Sequence, residues 1–448
     1  MKFPHPLALL AGCIVLAAAA SYLLPAGRYE RLDDPLTGRS VVVAGTYHHV
    51  APAPVTPFQA VVAVPKGMAD AGSVIFLVFL VGGAFTVVDK TGALRRATSW
   101  LARKLARREI LVIPVISLFF AAGGALENMS EEIIALVPVL LLLTGRLGFD
   151  PLVAVAMSIG SAAVGAAFSP INPFQVLIAQ KLAQLPPLSG AAFRSAVMAV
   201  ALAVWIGMTM RYAMKMRVAA DVAGSVEEPS AASVLGARGV VVLLLVLTAF
   251  TLLVYGVMTQ GWDFDQLSAM FFVMGVAAGL VGGLGVTGTA AAFAEGFAGM
   301  AYAAMLIGFA RAIYVVLDQG QVIDTVVHGL FAPIAVLPAT LSALAMMVAQ
   351  AVIHFPVPSV SGQAVLTMPV LTPLSDLIGL PRQVTVLSYQ YGAGLADLLT
   401  PTNGSLMAVI AAAGVPYEKW LKFAARLFGT LLLVGAVAVV VAIVGGLT

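Results

Sequence analysis

Cysteine is all but missing from this 448-residue chain: Cys13 stands alone, which excludes an intramolecular disulfide and any cysteine-based metal cluster. Charge is scarce too, at 10% of residues against roughly 25% in soluble domains. No Gly-rich loop ending in Gly-Lys-Ser/Thr occurs, so the phosphate cradle of an ATP-driven pump is lacking. His-Glu-x-x-His and Gly-x-Ser-x-Gly are lacking as well, which leaves an intramembrane enzyme without a constellation to work with. Gly283-Leu284-Gly285-Val286-Thr287-Gly288 does spell a dinucleotide fingerprint, but it ends an apolar run and no strand precedes it.

What the chain has in excess is apolar surface: 61% of residues are hydrophobic and the mean hydropathy is +1.02. A bilayer is the solvent such a surface suits. The net charge of +3 comes from basic residues in loops between apolar runs, which points to the positive-inside bias and away from nucleic acid. Leu10-Ala11-Gly12-Cys13 fits a lipoprotein cleavage box, yet the apolar run continues to Leu24, so a retained first helix is expected.

The pattern predicts spans at roughly 7–24, 71–89, 150–185, 194–211, 239–259, 267–285, 300–317, 383–414 and 427–447. Two further regions, 110–145 and 330–377, each read as two apolar arms around a polar tip, Glu127-Asn128-Met129-Ser130-Glu131-Glu132 and Pro356-Val357-Pro358-Ser359-Val360-Ser361-Gly362. Polar backbone at membrane depth must be buried in protein or line a cavity, a condition that re-entrant hairpins meet.

The chain also repeats itself. An offset of 231 carries Ser130 to Ser361, Pro138 to Pro369, Gly148 to Gly379, Pro170 to Pro401 and Asn172 to Asn403. The windows 130–172 and 361–403 share about 11 identities in about 43 positions, several on Pro, Gly and Asn. In 150–185 and 383–414 the repeat falls on helices broken at Pro-x-Asn. Duplicated halves with interrupted apolar segments mark secondary transporters and their binding sites.

The expected fold is an all-α polytopic membrane protein with two inverted repeats, each holding a re-entrant helical hairpin and a broken transmembrane helix. Residues 1–54 form the first helix and an external loop, 55–212 repeat 1, 213–285 a cytoplasmic linker with two helices, and 286–448 repeat 2. Basic clusters at Arg95, Arg96, Arg103, Lys104, Arg107 and Arg108, at Arg211, Lys215, Arg217 and Arg238, and at Lys419, Lys422 and Arg426 place that side in the cytoplasm, the N-terminus with it. The loop 212–238, with Glu227-Glu228-Pro229, reads as a linker between halves.

Each break frees carbonyls above and N–H groups below, the one suited to a small cation and the other to a carboxylate. Ser169 and Asn172 at the first break, Thr400, Thr402 and Asn403 at the second, supply side-chain donors and acceptors. Asn128 and Ser130, and Ser359, Ser361, Gly362 and Gln363, would face the breaks from the hairpin tips. Glu131, Glu132 and Asp397 are intramembrane carboxylates, hence candidates for ion coupling; helix capping behind Ser130 is the bland account of the two glutamates. Arg311, inside an apolar run, reads as a snorkelling side chain, a clamp for a substrate carboxylate, or a partner for a buried acid such as Asp397. His328 and His354 are expected as polar anchors at a membrane boundary.

With these motifs assembled, the chain resembles the YfcC-type branch of the C4-dicarboxylate anaerobic carrier (DcuC-like) family of the ion transporter superfamily. Leu24-Pro25-Ala26-Gly27-Arg28-Tyr29, Asn128-Met129-Ser130-Glu131-Glu132, Ser169-Pro170-Ile171-Asn172-Pro173, Gly308-Phe309-Ala310-Arg311, Ser361-Gly362-Gln363-Ala364 and Thr400-Pro401-Thr402-Asn403-Gly404 carry the likeness over nearly the whole chain. It implies a bacterial inner-membrane secondary transporter, usually a homodimer, moving carboxylate-bearing solutes: dicarboxylates in some relatives, arginine exchanged for ornithine in others. It also implies that Asn128, Ser130, Ser169, Asn172, Ser359, Ser361, Thr402 and Asn403 bind a substrate carboxylate and sodium. The tips lack a contiguous Ser-Asn-Thr and the first carries three acids, which moves the expectation toward protons or a cationic amino acid. No cofactor and no metal are expected beyond a coupling Na+ or H+, with sodium at the helix breaks. A cationic amino-acid antiporter is the alternative within transport; a passive channel would need a continuous polar lining, and the polar residues cluster instead near the midplane.

Overall fold

A backbone in hydrocarbon must satisfy its own N–H and C=O groups, so apolar runs of bilayer length become helices. The computed structural model, which describes residues 5–34, 39–93, 96, 109–216, 236–260, 262 and 264–447, is helical almost throughout. Among the described residues seven helical stretches are long and apolar enough to cross a membrane, making this a multi-pass membrane protein. They include α1 (Pro6–Leu23), α3 (Gly72–Lys90), α9 (Ala191–Met216), α11 (Phe264–Val281), α12 (Gly285–Gln319) and α18 (Tyr417–Val444). α10 (Ala237–Gln260) follows the segment 217–235, which lies outside the described residues, as do Arg95, Arg103, Lys104, Arg107, Arg108, Arg217 and Glu227-Glu228-Pro229.

The two expected hairpins and two expected broken helices are all interrupted where the sequence indicates. The first polar tip separates α4 (Val112–Glu127) from α5 (Glu131–Arg146). The first broken helix comprises α6 (Pro151–Val155), a π-turn at Ala156–Gly160, α7 (Ser161–Ala167), the break, a second π-turn at Pro173–Leu177, and α8 (Ile178–Leu182). The second tip separates α14 (Ala339–Ile353) from α15 (Val360–Leu377), and the second break separates α16 (Arg382–Ala396) from α17 (Gly404–Ala412). Glu109–Leu126, the first arm of the first pair, is itself of spanning length.

Packing repeats along with sequence. α4 lies on α7 as α14 lies on α16, and α9 lies on α7 as α18 lies on α16. The second arm of each tip crosses to the other half: α5 packs on α17 and α15 on α8. α7 and α16 touch each other, where a Cβ on Gly394 would come within 2.7 Å of the Ala167 Cα.

Three elements go beyond the sequence pattern. Residues 25–70, between the first two expected spans, contain two small antiparallel pairs, β1 (Gly27–Arg28) with β4 (His48–His49) and β2 (Arg31–Asp34) with β3 (Arg39–Val42), and then α2 (Pro57–Asp70). α2 starts on a Thr56–Gln59 capping box and runs against α12 so closely that a Cβ on Gly67 would meet the Gly308 carbonyl at 2.7 Å. The third is α13 (Ile323–Phe331), which anchors the strands: Asp324 accepts from the Tyr29 N–H at 2.9 Å and pairs with Arg31 at 2.8 Å. Burial, then the charge of Asp324, pushes the Tyr29 phenol up to about 12, so it stays neutral beside His328.

Candidate functional site

α4 ends because Asn128 takes the left-handed conformation (φ 57, ψ 36), one that Asn tolerates better than most side chains. The carbonyls this leaves at the end of α4 are satisfied by the first break. The Asn172 Nδ2 donates to the Gly124 carbonyl at 2.8 Å, and the Ser169 hydroxyl donates to the Ala125 carbonyl at 2.8 Å. Asn172 also caps the next half-helix, its Oδ1 accepting from the N–H groups of Phe174 and Gln175. The break is sealed from the opposite half as well. Gln390 of α16 donates to the Ser169 carbonyl at 2.6 Å and accepts from the fully buried Arg194 at 3.1 Å.

The second break is built on the same plan. Thr402 donates to the Phe355 carbonyl at 2.7 Å, and Phe355 stands 231 residues after Gly124. Asn403 caps α17 by accepting from the Leu406 N–H at 3.0 Å, and its Nδ2 donates to Asp397. Thr400 turns back onto the Ala396 carbonyl. Asn403 thus caps the start of α17, while Thr400 and Thr402 each satisfy a main-chain carbonyl.

The two breaks differ in what they face. A cavity of about 960 Å³ is lined by Asn128, Ser130, Glu131, Glu132, Arg311, Ser359, Ser361, Gly362, Asp397, Thr402 and Asn403 from among the expected residues. Ser169, Asn172 and Thr400 are buried outside it. Thus the polar side chains of the second break and of both tips share one space, while the first break presents Phe174 to it and keeps Ser169 and Asn172 buried.

Carboxylates dominate the lining: Asp70, Glu131, Glu132, Asp318, Asp324 and Asp397, against Arg28, Arg31 and Arg311. Glu131 is tied across the halves by the Ser405 hydroxyl at 2.8 Å. Ser130 does not cap α5 with its hydroxyl; its N–H instead meets Glu132 at 3.2 Å. On the facing tip, Ser359 does cap, accepting from the Gly362 N–H, so α15 and α17 both begin, capped, at the cavity wall.

Two expectations need correcting. Arg311 does not reach Asp397; it sits 3.7 Å from Asp70 and over the Tyr314 ring, about half exposed at the rim. Asp70 arrives on α2, a helix that none of the expected spans includes. His354 is no boundary anchor, for it is fully buried and bonded to Asp397 at 2.8 Å. His328 is exposed and stacked on Tyr47 at 4.0 Å. Gln350 and His354, four residues apart on one face of an apolar helix, are the sequence signal for the polar group behind Asp397.

The cavity opens at one end of the bundle. Arg28, Ser40, Trp262 and Gln321, all from connections between helices, line it beside Asp70 and Ala71 at the start of α3. The other end of α3, about 28 Å away at 1.5 Å per residue, meets Gly282 through Thr91, with Arg96 and Arg238 beside it.

A family model described as C4-dicarboxylate anaerobic carrier (DcuC) matches residues 3–444. YfcC of Escherichia coli, whose descriptive name offers basic amino acid antiport as an unproven activity, is 34% identical over 409 residues, spanning 86% of this chain and 80% of YfcC. An uncharacterized protein of Haemophilus influenzae is 26% identical over 498 residues, spanning 98% of this chain and 97% of its own. Among solved structures, the YdaH transporter of Alcanivorax borkumensis is similar at 16% identity and a TM-score of 0.45, covering 99% of each chain. MtrF of Neisseria gonorrhoeae, an antimetabolite efflux pump, is similar at 15% identity and a TM-score of 0.41, covering 99% of this chain and 96% of its own.

Proposed function

This chain belongs to the C4-dicarboxylate anaerobic carrier family, a family of transporters and not enzymes, and from that premise we propose that it exchanges a small amino acid bearing a basic group across the inner membrane. The observation that carries this reading is the acid excess around the cavity, with Glu131, Glu132 and Asp397 beside the second break. A dicarboxylate would meet three acidic side chains there. A basic amino acid would give its cationic group to those carboxylates and its carboxylate to the helix N-termini at Gly404 and Val360. The name of YfcC points the same way.

Alternating access would follow from the repeat. Here the two halves are inverted relative to each other, the tips are re-entrant, and one half rocks against the other about the shared cavity. With the basic residues cytoplasmic, the cavity opens outward and the N-terminus lies inside. The crossed contacts of α5 with α17 and α15 with α8 support such a pairing, since each half then carries part of the other's site.

Proteoliposomes loaded with L-ornithine are expected to accumulate external labelled L-arginine by counterflow, with succinate failing to compete. Counterflow of succinate untouched by arginine would replace this reading with dicarboxylate transport.

A further inference from the structure

Behind Asp397 lies a histidine that the substrate reading leaves unused. His354 follows the last residue of α14 and is closed to solvent, while Asp397 faces the cavity with 17% of its side chain exposed. The ring has one partner at each nitrogen: Nδ1 meets Gln363 Oε1 at 2.9 Å, and Nε2 meets Asp397 Oδ1 at 2.8 Å.

Gln363 decides the tautomer. Its Nε2 donates to the Gln350 main-chain carbonyl at 2.7 Å, and a carbonyl only accepts. The amide therefore cannot be reversed, and its oxygen must face the ring. Because that oxygen accepts and never donates, Nδ1 carries a hydrogen whenever this contact exists. At the other nitrogen, a bare lone pair opposite a bare carboxylate at 2.8 Å would repel. The contact therefore holds one hydrogen, whether on Nε2 or on Asp397. With it the pair is neutral; without it the pair carries one negative charge.

We propose that His354 and Asp397 form a one-proton site at the wall of the cavity, and that this proton and the cationic group of a cavity ligand displace one another. The displacement rests on the transport reading above; the one-proton site stands on geometry alone. While the proton is held, Asp397 has no free charge to offer. Asp397 is the exposed member, so the proton leaves through it to water in the cavity. The carboxylate then becomes available to an ammonium or guanidinium group. Arrival of the cation and loss of the proton leave the net charge of the site unchanged.

The surrounding groups fit this assignment. From α15, among the described residues, the pair is hydrogen-bonded by the neutral Gln363, which is linked in turn to the neutral Gln350 and Thr367. From α17 comes Asn403, and beyond it Ser405 brings Glu131 of α5. Arg311 of α12 is held at the rim with Asp70. The neighbouring carboxylate Glu131 favours holding the proton, and an incoming cation favours releasing it.

The test uses the full chain in lipid nanodiscs with ¹⁵N-labelled histidine, titrated without ligand and then given L-arginine. The His354 signals are assigned by H354Q, or by Q363L if H354Q does not fold, since losing the Nδ1 acceptor should move that ring alone. We expect Nδ1 to stay protonated at every pH, Nε2 alone to titrate, and D397N to lower that step by about one pH unit or more. L-arginine added just below the step should release about one proton per chain into weakly buffered medium. An Nε2–H tautomer, or a step that D397N leaves in place, overturns the one-proton site. Binding of L-arginine seen as a raised thermal midpoint, with no proton released, overturns the displacement. Absence of any arginine binding overturns the transport reading and the displacement together, and the ligand-free titration then decides the site by itself.

Discussion

L-Arginine exchange is expected to fall by about 10- to 150-fold when Glu131 becomes Gln, and by a similar factor when Asp397 becomes Asn. Each carboxylate would make a charge-assisted hydrogen bond to the substrate, worth roughly 1.5–3 kcal/mol. Both replacements keep an oxygen where the fold uses one: the new amide oxygen at position 131 still accepts from Ser405, and the one at position 397 still accepts from Asn403. Loss of function is therefore expected in a folded protein. The double variant should lose less than the product of the single effects, because the two acids lie around one ligand and couple. Asp376→Asn is the control. Its exposed pair with Arg382 lies away from the cavity lining, and surface pairs of this kind contribute little. Full exchange in both Glu131→Gln and Asp397→Asn would remove these acids from the site.

Gly124→Leu is expected to abolish the folded protein. A Cβ at Gly124 would lie 2.0 Å from the Ala162 carbonyl, and one at Gly165 would lie 2.1 Å from the Ala121 carbonyl. α4 and α7 thus cross with backbone on backbone, and neither helix has a flexible side chain there to move aside. The cost should exceed the roughly 1–3 kcal/mol of ordinary overpacking. The same crossing also sets the carbonyl that Asn172 satisfies, so the first joint would open with it. Gly207→Leu on α9 has nothing within 4 Å and should leave yield and gel-filtration profile intact. A Gly124→Leu variant that elutes and melts like the parent would mean that the two helices are not in this contact.

Much of the site is legible in the sequence before the fold is known. Pro, Gly and Asn recur at the 231-residue offset because the backbone needs them there. Pro170 and Pro401 stop a helix, and Asn172 and Asn403 cap the next one. What the offset cannot reveal is which break turns its polar side chains to the cavity. Sealing of the first depends on Gln390 and Arg194, distant in sequence and bound only through side chains. Arg311 illustrates a second limit. Its partner, Asp70, lies on a helix whose placement depends on the close approach of Gly67 to Gly308, and no periodicity encodes that meeting. His354 illustrates a third. A histidine at the end of an apolar arm looks like an anchor until the tip folds Gln363 and Asp397 around it.

The central claim is that the carboxylates of this cavity read positive charge on an amino acid. Calorimetric titration of the purified protein with L-arginine and with L-citrulline tests it most directly, because the two share shape and α-groups and differ in whether the side chain is a guanidinium or a neutral ureide. The account predicts that arginine binds about tenfold to a hundredfold more tightly, the difference a charge-assisted bond supplies. Equal affinities, or tighter binding of citrulline, would contradict it.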